Sequence, residues 1–398
     1  MSNSDFAVGD MMIVNIGPQH PSTHGVMHFR LHLDGEIIRR VDPEVGYLHR
    51  SIEKISERRL YEQVPVYCDR VDYTCAMTAV LGYVLSVESL FEKYELEVPP
   101  RAWYIRVIVT ELQRLANHLL WLGTFALELG SFTGYMYAFR EREKILDLFE
   151  SVAGERITIN YPCIGGFQQD LPEGWVELCR KILSEYPRYL DEIEDLLTLN
   201  PILIARCKGI GVLNRQTAIA YGITGPNLRA TGVKFDLRRE EPWGPYPELD
   251  FDIPTREEGD VYARYLVRLA ETRQSCRIVL QCLDKLPEGP VLAKLPLKKR
   301  DISSEFLKER GIDAHIRTGI PRRLCPSPNE TYRRMEGPRG EYGVFIISDG
   351  SDKPYRVRYR DNSFSSMSAI GAISKGHKLA DFIAIFASLD IVAPGLDR

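Results

Sequence analysis

The chain has 398 residues, long enough for two or three lobes or for one large helical core with smaller flanking sheets. Lysine and arginine number 51 and aspartate and glutamate 55, so the net charge of −4 offers no general basis for binding nucleic acid. Eight cysteines are scattered along the chain and no two are separated by only two residues, which argues against a disulfide framework or a self-contained zinc or iron–sulfur site.

Neither the N-terminus nor the longest apolar run indicates secretion or a membrane span. The first residues, Met-Ser-Asn-Ser-Asp-Phe, lack the basic region, apolar stretch and cleavage site of a secretory signal, so we expect a cytoplasmic location. Residues 119–139 have Glu128 as their only charged side chain and are nearly long enough to cross a bilayer. A carboxylate near the centre is costly in hydrocarbon, so the run predicts a helix buried in a soluble core.

Apolar and polar residues alternate near the N-terminus, and residues 26–34 therefore predict a half-buried strand. Its apolar face would consist of Met27, Phe29, Leu31 and Leu33. Asp34-Gly35 begins a hairpin turn into a second strand over 36–41. Histidines recur at positions 20, 24, 28 and 32, but Pro21 and the strand pattern argue against a helix that would align them for a metal. We expect a small antiparallel sheet here.

The loop Gly-Pro-Gln-His-Pro-Ser-Thr-His-Gly at 17–25 holds His20 and His24. A turn bounded by Pro and Gly often uses polar side chains to satisfy its own backbone, so a structural role for the two histidines is one interpretation. The other is functional, because imidazole titrates near neutral pH and can give a proton to a reduced carbonyl oxygen. The residues by themselves leave both interpretations open.

The centre of the chain is predicted to be a bundle of long buried helices. Apolar residues recur at helical spacing from Tyr73 to about Tyr94 and from Arg101 to about Leu129, with Pro99-Pro100 separating the two segments. Comparable amphipathic stripes lie at 145–152, 175–198 and 260–285.

The later part of the chain is less regular. Residues 236–259 and 287–340 are rich in Pro, Gly and charge, so we expect them to wrap over neighbouring surfaces or subunits and to be poor candidates for chemistry. Residues 343–348 and 355–360 predict a hairpin, followed by helical segments to the last residue. The fold class expected is α+β, mainly α.

Eight motifs along the chain carry a family resemblance. The first four are Gly17 to Gly25, Gly46-Tyr-Leu-His-Arg, Asp69-Arg-Val-Asp-Tyr and Ala138-Phe-Arg-Glu-Arg-Glu. The other four are Ile164-Gly-Gly, Leu228-Arg-Ala, Arg339-Gly-Glu and Ser388-Leu-Asp. In this order they resemble the quinone-site subunits, the D subunits, of respiratory complex I, an NADH:quinone oxidoreductase. The resemblance extends from about residue 10 to residue 398.

That family is similar to the large subunit of nickel-iron hydrogenases, which holds its metals with an early and a late Cys-x-x-Cys pair. The early pair corresponds here to Asp72 and Cys75, and the late pair to Val392 and Gly395. A nickel-iron centre needs soft thiolate ligands, and at most one of four remains. We therefore expect no metal in this chain and no hydrogen chemistry.

The resemblance also implies an overall organisation. It implies a hydrogenase-like helical bundle with a small N-terminal antiparallel sheet and a C-terminal hairpin region. We expect an N-terminal α/β lobe with the quinone-site loop at 1–65, a central helical bundle at 66–290, and a C-terminal region of extended loop, hairpin and helices at 291–398.

The resemblance implies that a quinone headgroup occupies the former metal cavity between His24 and Tyr73, each of which would hydrogen-bond one carbonyl. An imidazolium and a phenol can each donate a hydrogen bond, stabilise arriving negative charge and supply a proton. The further quinone-binding or coupling residues implied are His20, Asp72 and Glu128. Without the resemblance, Tyr73 would be interpreted as an aromatic residue at the head of a buried helix.

Arg50 matches a family arginine close to the terminal iron–sulfur cluster of a neighbouring subunit. Its alternative role is an ordinary ion pair with Glu53 or Glu57 on the same predicted helix. The family often has a histidine beside that cluster where this chain has Thr158, so the resemblance implies that a proton coupled to cluster reduction is missing here.

Glu128 stands where the family usually has aspartate, near the loop histidine. The resemblance implies that this acid relays the charge change at the quinone toward the membrane arm. The alternative is a static salt bridge with Arg114 or Arg140 that serves packing only. A solitary buried carboxylate is unfavourable unless it is paired or its pKa is raised.

The expected function is that of a quinone-site subunit of a proton-translocating NADH:quinone oxidoreductase, peripheral on the cytoplasmic face of a bacterial or archaeal cell membrane. The resemblance implies quinone as substrate, no cofactor in this chain, and FMN and iron–sulfur clusters in partner subunits. The partners implied are the B subunit with the terminal cluster, the C subunit and the membrane H subunit. The alternatives are the equivalent subunit of a deazaflavin- or ferredoxin-linked quinone oxidoreductase, a hydrogenase catalytic subunit and a hydrogenase-related assembly scaffold.

Overall fold

A computed structural model of the chain describes residues 11–19, 25–92, 95–299 and 322–398. These residues form an α+β fold that is mainly helical, which confirms the fold class expected from the sequence. The strands are β1 (Met12–Ile16), β2 (His28–Asp34), β3 (Ile37–Glu44), β4 (Pro162–Cys163), β5 (Gly166–Phe167), β6 (Leu297–Lys299), β7 (Arg322–Leu324), β8 (Asn329–Gly337), β9 (Gly340–Ser348) and β10 (Arg356–Asp361).

The helices are α1 (Ile52–Ser56), α2 (Pro65–Cys68), α3 (Ala76–Glu88), α4 (Pro100–Glu128), α5 (Phe132–Ala153), α6 (Trp175–Leu197), α7 (Pro201–Cys207), α8 (Arg215–Ala220), α9 (Gly225–Arg229), α10 (Leu237–Glu240), α11 (Val261–Asp284), α12 (Asn362–Ser368), α13 (Ile370–Ser374), α14 (Leu379–Ser388) and α15 (Ala393–Leu396). Short 3-10 helices lie at Tyr61–Gln63, Tyr73–Cys75 and Tyr246–Glu248. The predicted helix from Tyr73 is thus a 3-10 turn followed by α3.

The N-terminal sheet has the strand order β1-β2-β3, and both pairings are antiparallel. The apolar residues that the sequence assigned to one face, from Met27 to Leu33, are buried as predicted. Phe29 makes edge-to-face contacts with Phe382 and Phe386 of α14, so this face packs on the C-terminal helices. His28 and His32 lie on the other face, where they bind Glu44 and Asp42 at 2.7 and 2.9 Å.

Helix α4 is the centre of the bundle and packs against α3, α5 and α11. It begins at Pro100. Backbone amides in the first turn have no acceptor within the helix, so the amide hydrogen that proline lacks costs no hydrogen bond there. Its middle is buried on all sides, as expected of a helix enclosed by others.

The prediction of one helix across residues 119–139 is wrong, because α4 ends at Glu128 and α5 begins at Phe132. Gly130 takes a left-handed conformation (φ 89°), and the Ser131 hydroxyl accepts a hydrogen bond from the Gly134 amide, which caps α5. Among the described residues, we find no helix with the length and apolar character that crossing a membrane requires.

The C-terminal sheet is an antiparallel meander in the order β8-β9-β10. The predicted hairpin is confirmed by β9 and β10, but the expectation of irregular structure throughout 287–340 is wrong for β8. The outer end of β8 is exposed and charged and therefore has no apolar alternation that would predict a strand. Pairing with β9 determines the extended conformation there.

Residues 236–259 lie on the bundle of this chain itself, with Tyr246 and Phe251 buried against it. One apolar core combines the N-terminal sheet, the bundle and the C-terminal helices, and a second lies between α3 and the C-terminal sheet. The division near residues 65 and 290 and the likeness to hydrogenases stay predictions.

Candidate functional site

A pocket of about 560 Å³ lies beside the C-terminal end of α4. Its wall includes Tyr73, Glu128, Arg339 and the segment Asp390–Val392, and Gly25 reaches its edge. His20 and His24 lie outside the described residues. The structure thus places two of the predicted site residues, Tyr73 and Glu128, in one pocket.

Tyr73 is the first residue of the 3-10 helix Tyr73–Cys75 and is 37% exposed. Burial raises the pKa of its hydroxyl, and the charges of Asp72 and Asp390 act in the same direction, while Arg339 opposes them. The phenol therefore keeps its proton at neutral pH. A protonated phenol at a pocket wall can donate a hydrogen bond to a ligand oxygen.

Glu128 is the last residue of α4, and its side chain is half-buried at the pocket wall. The two arginines considered as its static partners bind other groups. Arg114 donates to Glu111 and to the carbonyls of Glu336 and Gly337 at 3.2, 2.7 and 2.7 Å. Arg140 binds Glu141 and Glu192 at 2.5 and 3.0 Å.

Asp72 is buried below the pocket wall, 2% exposed. One of its carboxylate oxygens accepts hydrogen bonds from Arg339 Nη1 at 2.5 Å and from the Cys75 thiol at 2.7 Å. The other accepts from the Thr74 hydroxyl at 2.9 Å. Asp72 therefore supports the turn that carries Tyr73 and is not itself part of the wall.

Four positions, Asp72, Cys75, Val392 and Gly395, were matched to hydrogenase thiols by resemblance alone. Burial raises the pKa of the Cys75 thiol well above its usual value, and the neighbouring charge of Asp72 adds to this. The thiolate that a soft metal prefers is therefore disfavoured. Val392 lines the pocket, and a side chain at Gly395 would meet Asp361 at 2.9 Å. Among the described residues no group of three or more His, Cys, Asp or Glu could hold a metal ion.

Arg50 does not line this pocket, and its Nη2 donates to the carbonyl of Arg70 at 2.6 Å. Its considered ion-pair partners have other contacts, since Glu57 binds Lys54 and Arg356 and Glu53 accepts from the Tyr359 amide. Thr158 is half-buried in the segment after α5. The placement of Arg50 near a cluster of a neighbouring subunit stays a prediction.

Sequence reasoning missed Arg339 and Asp390 as parts of the site. Both fall in motifs that carried the family resemblance, Arg339-Gly-Glu and Ser388-Leu-Asp. Arg339 belongs to a stretch, 287–340, that the sequence marked as a poor candidate for chemistry, and the structure places this residue on the pocket wall. The Arg339-Gly-Glu motif was the signal that could have identified this residue, because a motif is more specific for a site than the composition of the surrounding stretch.

The chain closely matches known proteins over nearly its whole length. Residues 128–398 match the family described as respiratory-chain NADH dehydrogenase, 49 Kd subunit. A protein of Geotalea uraniireducens, named as the D subunit of NADH-quinone oxidoreductase, is 45% identical over 393 residues, covering 98% of this chain and 99% of the relative. Proteins of the same name from Dehalococcoides mccartyi and Trichlorobacter lovleyi are each 46% identical, over 98% of this chain and over 99% and 100% of the relatives.

The fold and the site define a mainly helical protein with a tyrosine, a carboxylate and an arginine around one pocket at the end of its central helix. The chain belongs to the family of the 49 kDa, or D, subunits of respiratory-chain NADH dehydrogenase, and is thus part of an oxidoreductase complex. The resemblance inferred from the motifs is confirmed.

Proposed function

We propose that this chain forms the headgroup end of the quinone site in a complex I-type NADH:quinone oxidoreductase and helps to protonate the quinone there. The observation that supports this most is that Tyr73 and Glu128 share one pocket with Gly25, the residue that follows His24. About 560 Å³ is within the range of about 300–1,000 Å³ usual for small-molecule pockets.

The chemistry of the wall suits a flat ring with two carbonyl groups. Trp121, Ile391 and Val392 offer apolar surface to the ring, and the Tyr73 hydroxyl can donate to one carbonyl. His24 would donate to the other. Two electrons and two protons convert a quinone to a quinol, and the electrons would arrive from the terminal iron–sulfur cluster of the neighbouring B subunit.

A raised pKa matters for the proton that Tyr73 would give. A phenol with a raised pKa holds its proton until negative charge develops on the neighbouring oxygen, and only then does transfer become favourable. Each proton lost from Tyr73 or His24 would then be replaced from solvent or from a relay. We propose that Glu128 couples this step to proton translocation, because Glu128 lines the same pocket as Tyr73.

The assembly proposed is a peripheral one on the cytoplasmic face of the cell membrane, with the B, C and H subunits as neighbours and FMN and the clusters in the partners. A deazaflavin- or ferredoxin-linked complex remains the second candidate, since the electron donor binds to other subunits. Isolation of the tagged chain in mild detergent, with its companions identified by mass spectrometry, distinguishes the two. An NADH-binding companion supports the first, and its absence from an otherwise complete complex supports the second.

Tyr73→Phe tests the headgroup proposal in the assembled complex. We expect kcat/KM for quinone to fall about tenfold or more, while electron transfer from NADH to ferricyanide, which accepts electrons upstream of the quinone, stays unchanged. Tyr221→Phe is the matched control, because Tyr221 is 41% exposed and does not contact the pocket. An unchanged kcat/KM in Tyr73→Phe would mean that the headgroup binds elsewhere.

A further inference from the structure

We propose that Arg339 is a positioning residue of the quinone site. Its guanidinium holds the Tyr73 hydroxyl in place by hydrogen-bonding the residues on both sides of Tyr73 and, at the same time, Asp390. This inference rests on the proposed function and assigns a role to a residue outside the histidine, tyrosine and carboxylate set. Arg339 is 4% exposed and comes from the turn between β8 and β9, far along the chain from Tyr73.

Each of the five N–H groups of the guanidinium has an acceptor. Nε donates to the carbonyl of Asp390 at 2.8 Å. Nη1 donates to Asp72 at 2.5 Å and lies 3.7 Å from the Cys75 sulfur. Nη2 donates to the Thr74 hydroxyl at 2.5 Å and to Asn117 at 2.8 Å.

These bonds converge on the backbone that carries Tyr73. Asp72 precedes Tyr73 and Thr74 follows it, so one guanidinium binds the side chains on both sides of the tyrosine. The same guanidinium binds Asp390, which continues into the wall segment that ends at Val392. Arg339 therefore fixes the distance between two parts of the pocket wall that are remote in sequence.

Tyr73 depends on such a support. In the part of the chain that the structure describes, its hydroxyl has no hydrogen-bond partner, so its direction follows from the backbone and from packing. The backbone of the turn is held by the Cys75 amide, which donates to the Asp72 carbonyl, and by Gln113, which donates to the Thr74 carbonyl at 2.9 Å. Arg339 is the one cation among these contacts of the described turn, and the only one that reaches Asp390 as well.

The position of Arg339 is itself fixed from behind. Its carbonyl accepts from Asn362 at 2.7 Å, and a side chain at Gly225 would overlap that carbonyl at 2.4 Å. The backbone thus approaches α9 as closely as glycine allows. An arginine held in this way can act as a rigid brace, because its planar fork keeps several hydrogen bonds in one geometry and a lysine ammonium does not.

A double-mutant cycle in the assembled complex tests whether Arg339 acts through Tyr73. The variants are Arg339→Lys, Tyr73→Phe and the combination, each measured as kcat/KM for quinone and normalised to NADH–ferricyanide activity. We expect Arg339→Lys to lower kcat/KM about tenfold, since a shift of about 1 Å at a reacting group can change rates by up to about a hundredfold. In the Tyr73→Phe background, Arg339→Lys should lower it less than about twofold further.

Arg238→Lys is the matched control. Arg238 is also buried and binds Asp236 through two nitrogens, at 3.0 and 2.7 Å, but it does not line the pocket. Any effect of Arg238→Lys should therefore be equal in the presence and absence of the Tyr73 hydroxyl. A loss of kcat/KM that merely reflects weaker folding would likewise be the same with and without the Tyr73 hydroxyl.

The outcomes separate the two proposals. Suppose that Tyr73→Phe lowers kcat/KM. If the fold-losses of Tyr73→Phe and Arg339→Lys then multiply in the double variant, or if Arg339→Lys has no effect by itself, the positioning role is overturned and the quinone-site proposal stands. If Tyr73→Phe has no effect, both proposals fall. Should Arg339→Lys prevent assembly, Thr74→Val keeps the shape of the side chain and removes its hydrogen bonds with Arg339 and with Asp72. If the effect of Thr74→Val on kcat/KM were independent of Tyr73→Phe, the positioning role would equally be overturned.

Discussion

Tyr73 and Glu128 line the same pocket, although the first begins the 3-10 helix ahead of α3 and the second ends α4. The packing of α3 against α4 brings the two helices together. A tyrosine and a glutamate that are remote in sequence therefore belong to the wall of one pocket. The role of the Glu128 charge at this pocket can be tested separately from the role of its shape.

Glu128→Gln keeps the size of the side chain and removes its charge. We expect the variant to assemble and to bind quinone but to show reduced turnover or reduced proton pumping, because the carboxylate can no longer respond to proton transfer at the headgroup. Proton translocation in reconstituted vesicles and quinone reductase rates measure this. Glu177→Gln, an exposed change of the same charge outside the pocket, is the control. Wild-type rates and proton stoichiometry in Glu128→Gln would leave only a structural role.

Glu111 should be a major contributor to folding stability. It is buried and binds Arg114, Arg238, Tyr246 and Ser275 at 3.2, 3.1, 2.6 and 2.6 Å. Glu111→Gln leaves buried guanidinium charge uncompensated, so the free energy of unfolding should fall by about 3–5 kcal/mol. Chemical denaturation followed by tryptophan fluorescence measures it, with Glu177→Gln as control. A change below about 1 kcal/mol would contradict the prediction.

The contribution of Glu111 should also depend on pH. Burial raises the pKa of Glu111, but the charges of Arg114 and Arg238 outweigh it, so the pKa falls from 4.5 to about 2 in the folded chain. The unfolded state therefore binds the proton first as the pH falls. The stabilisation is complete above pH 4.5 and declines toward pH 2. The stability difference between wild type and Glu111→Gln should narrow over that interval, and a difference that widens there would contradict the assignment.

Gly340→Ala should disturb the turn that presents Arg339. Gly340 has φ 123°, and an added Cβ would meet the Thr224 hydroxyl at 2.6 Å. Gly46 has the same φ of 123° but open space around its Cβ position, so Gly46→Ala isolates the conformational effect, about 1–3 kcal/mol. We expect a clearly larger loss of stability, and a lower kcat/KM for quinone, in Gly340→Ala. Equal effects of the two variants would mean that the contact with Thr224 is unimportant.

The isolated chain should bind no stoichiometric nickel when expressed in nickel-supplemented medium. The Cys75 thiol has a raised pKa, and the Arg339 guanidinium lies 3.7 Å from its sulfur, where its charge repels a cation. Elemental analysis of the purified chain measures the content. Nickel at one equivalent would contradict both the loss of the thiol ligands and the quinone proposal.

Local patterns in the sequence predicted much of the fold. The alternation from Met27 to Leu33 indicated the strand β2, and Pro99-Pro100 marked the start of α4. Local patterns did not predict β8, because its residues are exposed and charged and the strand forms through pairing with β9. They also did not predict that the apolar run is divided into two helices at Gly130. Pairing and capping depend on neighbours that a local pattern does not contain.

The sequence by itself determined the family, through motifs spread along the chain, and with it the expectation that Tyr73 and Glu128 belong to a quinone site. It also led to the expectation of no metal, because Asp72, Val392 and Gly395 stand where the resemblance would place hydrogenase thiols, and this can be seen without coordinates. Only the tertiary structure decided that Arg339 fills the space beside Asp72 and Cys75 and joins that turn to Asp390. Motifs identify residues one at a time, whereas a buried guanidinium takes its role from the acceptors that distant segments bring to it.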